Sequence, residues 1–67
     1  MIGPIRPQLA GRVERLARLY DAEVALRTAG RLAELDPSRT EEARDHFRRA
    51  NGVRRIRIAL LRRWQLL

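Results

Sequence analysis

Cysteine is absent from this 67-residue chain, which excludes a disulfide framework, a thiolate metal site and a thiol nucleophile. Histidine occurs once, at position 46, so acid–base chemistry built on paired imidazoles is excluded as well, and no catalytic function is expected. Lysine is missing, and all fifteen basic residues are arginine. A GC-rich coding sequence accounts for that usage as readily as chemistry does, but the planar guanidinium fork can grip phosphate or carboxylate through two hydrogen bonds either way. Aromatic residues are limited to Tyr20, Phe47 and Trp64, too few for a stacking platform that holds single-stranded nucleic acid. The longest unbroken apolar run is Ile58 to Leu61, far short of the ~20 residues that span a bilayer. Met1–Pro7 also lacks the basic start and long apolar segment of a secretory signal, so a cytoplasmic location is the expectation.

What remains is a short chain of helical periodicity. A domain of this size buries only a marginal core, and without disulfides its stability has to come from helix packing or from oligomerisation. Pro4 and Pro7 favour an extended arm over residues 1–7. From Gln8, the residues Leu9, Val13, Leu16, Tyr20 and Val24 recur at the spacing of one helical face. A second stripe runs through Leu19, Ala22, Leu26, Ala29, Leu32 and Ala33. The first stripe is expected to close a hairpin, with Val13 inside it. The second, Leu19, Leu26, Ala29, Leu32 and Ala33, is expected to form an oligomer interface. A break near Asp21, capping a separate short helix, is the alternative to one long helix.

The segment Leu35-Asp36-Pro37-Ser38-Arg39-Thr40-Glu41-Glu42 reads as the junction between two helices. Asp36 can cap with Pro37 at the first helical position, or Ser38 can cap with Glu41 three residues on. The second helix carries Ala43, Phe47, Ala50, Val53, Ile56, Leu60, Trp64 and Leu67 at steps of three and four. That rhythm runs through Asn51-Gly52, where a turn is otherwise expected. The expected fold is therefore all-α: an N-terminal extended arm, then an antiparallel helical hairpin over residues 8–67 that oligomerises into a bundle. Helix 1 covers about 8–35, a turn 36–38, and helix 2 about 38–66, with a possible break at 51–52.

Charge is distributed unevenly. Residues 1–45 hold eight arginines and eight acidic residues, so the whole net charge of +7 lies beyond them. From Phe47 onward there are seven arginines, Arg48, Arg49, Arg54, Arg55, Arg57, Arg62 and Arg63, and no acidic residue. Arg48, Arg55 and Arg62 are spaced by seven and form one row on a continuous helix. A helix that needed only solubility would intersperse both signs. These seven arginines are the expected nucleic-acid-binding residues, acting on the phosphate backbone with little sequence preference. An acidic protein surface is the other partner such a ridge fits.

Four competing functions read less well. "LAELDPSRTEEARDHFRR" has the length of a DNA-reading helix-turn-helix, but it places Pro37 where the turn wants glycine, and Glu41 and Glu42 would face phosphate. Glu42 and His46 lie four apart and could pair as metal ligands in a symmetric dimer, but two ligands do not make a site, and no cofactor is expected. A basic amphipathic helix with tryptophan suits a membrane surface, but its apolar stripe is needed to close the hairpin. The strongest alternative is a structural, assembly or adaptor subunit, a homo-oligomer or part of a larger complex, held by helix packing with its arm in a neighbour's groove.

Overall fold

A computed structural model describes residues 7–67. The expected arm falls outside them except for Pro7, which is the first residue of a helix. Helix α1 spans Pro7–Glu34, a single 3-10 turn follows at Pro37–Arg39, and helix α2 spans Thr40–Arg63. Among the described residues the fold is all-helical, and α1 packs along α2. Pro7 suits the first helical position because its missing N–H would have no partner there. No break occurs at Asp21, and α2 runs unbroken through Asn51 and Gly52.

The turn follows from the chemistry of Asp36. Backbone N–H groups of Leu35 and Asp36 donate to the Leu32 and Ala33 carbonyls, which tightens the end of α1. Asp36 then adopts an extended conformation, and its Oδ1 accepts from the Ser38 backbone N–H at 2.9 Å and from the Ser38 hydroxyl at 2.7 Å. Ser38 thus spends its hydroxyl on Asp36, and the Ser38–Glu41 capping box does not form. Pro37 begins the 3-10 turn, and α2 starts at Thr40, two residues later than expected. At the far end, Gln65 takes a left-handed φ of 58°. Gln65 N–H donates to Arg62 and Leu66 N–H to Leu61, closing the helix in a Schellman arrangement before residue 66.

The two helices meet along rows whose most deeply covered apolar positions are small residues. Ala33, Ala43 and Ala50 are the buried hydrophobic residues among those described, and no large side chain is fully buried. Gly30 sits so close to Phe47 that an added Cβ would fall 2.9 Å from the ring's Cζ. On α1 the seam is formed by Leu16, Glu23 and Gly30 and by Leu19, Leu26 and Ala33, two rows with a seven-residue repeat. On α2 it is formed by Ala43, Ala50 and Arg57, and Trp64 at the helix C-cap continues the seven-residue step. Both helices thus follow the heptad logic of a short antiparallel coiled coil.

This packing revises which stripe of α1 faces inward. Leu19, Leu26 and Ala29 are half-buried and Ala33 fully buried in the hairpin, so they do not form a free oligomer surface. Leu32 alone of that set is open, at 59 % exposure. Val13, expected inside, is exposed along with Leu9, Tyr20 and Val24. On α2 the inward stripe passes over Ile56, which is exposed, and takes Arg57 instead. Small residues win the seam because they let two backbones approach, and the bulkier stripe is displaced to the side.

Two glycine substitutions separate close approach from simple helix propensity. Gly52→Ala meets no atom within 4 Å and should stabilise the hairpin by up to about 1 kcal/mol. Gly30→Ala drives a methyl into the Phe47 ring, and overpacking of about 1–3 kcal/mol should outweigh the same propensity gain. Thermal melts should therefore move in opposite directions.

Candidate nucleic-acid interface

The seam decides which arginines of α2 are free. Ala43, Ala50, Arg57 and Trp64 face α1, and Arg48, Arg55 and Arg62 each lie five residues after one of the first three, about 140° round the helix. They point away from α1, and all three are exposed. Their row spans about 21 Å. Arg54 and Arg63 are exposed on its flanks. None of these five forms a salt bridge among the described residues. Arg49 is also exposed but pairs with Asp45 at 3.1 Å, a surface contact of little energetic weight.

Arg57 is different and leaves the expected set. Its side chain is 22 % exposed, and Nη2 donates to Glu23 Oε1 at 3.1 Å across the seam. Its guanidinium also lies 5.5 Å from the centre of the Tyr20 ring. The second Glu23 oxygen, Oε2, accepts from Arg27 Nε at 3.2 Å, and Arg27 Nη2 reaches Asn51 Oδ1 at 3.2 Å. Glu23, only 7 % exposed, is therefore clamped by two arginines, one from each helix. Burial pushes its carboxyl pKa up, but hydrogen bonds from Arg57 and Arg27 and their positive charge outweigh that, and the net shift is downward.

Arg44 belongs to the outward face as well, one turn before Arg48, and its i−4 spacing is the signal that identifies it. It shares a shallow depression with Glu41, Glu42, Asp45 and Arg48. The acids there weaken the ridge at its N-terminal end, so its most positive stretch runs from Arg48 to Arg63. Glu42 is engaged locally: Arg39 donates to both its oxygens at 2.8 and 2.9 Å, and His46 Nε2 lies 3.5 Å away. The Arg39 hydrogen bonds, aided by the charges of Arg39 and His46, lower the Glu42 pKa to about 2. Among the described residues no cluster of three or more His, Cys, Asp or Glu side chains could hold a metal. No helix there is long and apolar enough to cross a membrane.

No protein-family model, curated protein or solved structure matches this chain.

The clamp on Glu23 makes a testable difference between losing one partner and losing both. Glu23→Leu alone strands the half-buried Arg57 and should lower stability by about 1–3 kcal/mol in urea titration. Adding Arg57→Leu should recover most of that loss, since an apolar pair of similar volume can replace a buried ion pair. The pH response has a definite sign. Glu23 and Glu42 both have folded pKa values below the ordinary 4.5, so their stabilisation is complete above that value and is lost as pH falls through the folded ones. Melting temperature should drop as pH falls from 4.5 to about 2, less so in Glu23→Gln and Glu42→Gln.

Proposed function

We propose that this protein is a non-enzymatic helical hairpin that binds the phosphate backbone of nucleic acid through α2. One observation supports this above the others: Arg48, Arg55 and Arg62 form an outward row, exposed and in no salt bridge among the described residues, with Glu41, Glu42 and Asp45 lying beside its Arg48 end. Arg54 and Arg63 widen the row and Arg49 adds to it, since its pairing with Asp45 is exposed and exchangeable. Guanidinium groups on a straight helix suit a regularly spaced polyanion, and with few aromatic residues the ridge reads charge and shape rather than base identity. Duplex DNA and structured RNA both offer that surface.

A structural or adaptor subunit is the second reading, favoured by the exposed apolar stripe of Leu9, Val13, Tyr20 and Val24 on α1. In that case the ridge meets an acidic protein surface. Salt separates the two, because counterion release dominates the first and apolar packing resists it.

With four to six phosphates neutralised, log affinity for a duplex should fall against log salt with a slope of roughly −3.5 to −5.5, nearly independent of sequence. Changing Arg48, Arg55 and Arg62 together to glutamine should reduce that slope by up to about 3 with helix content unchanged. Arg57→Gln should instead lower the melting temperature and leave the slope close to that of the parent. Absence of salt-sensitive binding at low ionic strength would remove the nucleic-acid reading and put the adaptor reading first.

A further inference from the structure

The exposed stripe on α1 has a symmetric spacing. Leu9, Val13, Tyr20 and Val24 are 38, 51, 54 and 44 % exposed and lie about a quarter turn round α1 from the seam. Their intervals of four, seven and four residues read the same in both directions. A two-fold interface requires that symmetry, because residue i must meet residue j while j meets i. Laid antiparallel on itself with the axis between Leu16 and Ala17, α1 sets Leu9 opposite Val24 and Val13 opposite Tyr20 of the second copy.

We infer that this face pairs two copies of the chain, joining their hairpins into a four-helix bundle with α1 against α1 and the arginine ridges outside. Two further observations support a second copy over an unrelated partner. The hairpin leaves no large apolar side chain fully buried among the described residues, so the core of one copy is unfinished and a like stripe completes it. Charge also permits the approach: residues 7–34 carry five arginines and four acidic residues, so α1 is nearly neutral, whereas residues 40–63 carry eight arginines and three acidic residues, and the exposed row of Arg48, Arg55 and Arg62 faces away from α1. A helix contact over about 24 Å lies at the low end of stable interfaces. Self-association is accordingly expected at tens to hundreds of micromolar. This inference does not depend on nucleic-acid binding.

The native chain is free of cysteine, which makes the register directly testable. Val13→Cys protein mixed with Tyr20→Cys protein should form a disulfide-linked heterodimer under mild oxidation. Leu9→Cys mixed with Val24→Cys, which leaves the Tyr20 ring beneath Arg57 untouched, should do the same. Both should link about ten times faster than Leu32→Cys with itself, because a held pair has a far higher effective concentration than colliding chains. Val13→Cys with itself should link at the Leu32→Cys rate, since two-fold pairing offsets those positions by seven residues, about 10.5 Å and beyond disulfide reach. Circular dichroism confirms that each variant is folded, and sedimentation equilibrium of the parent should show dimer. A parent that remains monomeric across that range, or cross-linking no faster than Leu32→Cys, overturns the inference. Preferential Val13→Cys self-linking overturns it too, since it indicates a parallel pair or another register.

Discussion

Everything in this hairpin is arranged around one carboxylate that has almost no access to water. Glu23 sits in the seam of a two-helix protein, where an unpaired charge would be intolerable, and Arg57 and Arg27 meet it from opposite helices. That clamp sets the register of α1 on α2. With Arg57 opposite Glu23, Phe47 comes to Gly30, Asn51 to Arg27 and Trp64 to Arg12, whose guanidinium lies 5.2 Å from the indole centre. The pairings step down one helix as they climb the other, as an antiparallel hairpin requires. Small residues then let the backbones close, and Ala33, Ala43 and Ala50 are covered as a result.

The same register allocates the charge. Five of the eight acidic residues have local partners near the turn and along α1: Asp36 in its cap, Glu42 with Arg39 and Glu23 in the seam, and Asp45 with Arg49 and Glu14 with Arg18 in exposed pairs. Beyond Asp45 there is nothing left to neutralise α2. Because Arg57 is turned inward, the row five residues out of phase with it is turned outward, and one geometric fact produces both the structural arginine and the exposed ridge. The apolar stripe on α1 is a consequence of the same rotation. Once Glu23 and Gly30 occupy the seam, Leu9, Val13, Tyr20 and Val24 are carried to the side.

Much of this could be read directly from residue order. Asp36-Pro37 marks the junction because an Asx cap and a proline leave the chain few alternatives, and the apolar steps through Asn51-Gly52 outweigh the turn preference of that dipeptide. The outward row of Arg48, Arg55 and Arg62 follows from the period alone. Which face of α1 turns inward does not, because hydrophobicity favours the stripe with Val13 and Tyr20, whereas close packing favours the one with Gly30 and Ala33. Arg57 is hidden for a related reason: an arginine among arginines reads as surface, and only its position seven residues from Ala50 and from Trp64 places it in the seam. Its acidic partner is 34 positions away, beyond the reach of any local pattern.

The most direct measurement follows the arginine Nε–H groups by NMR while duplex DNA is titrated in. Arg57 Nε is buried, so its proton should exchange slowly with water and its resonance should hold still. Arg48, Arg55 and Arg62 should exchange rapidly, shift together on addition of duplex, and return as salt is raised. Movement of Arg57 in step with the row, or no salt-reversible shift at the row, would contradict the proposed division of these arginines into one that holds the fold and a set that binds a polyanion.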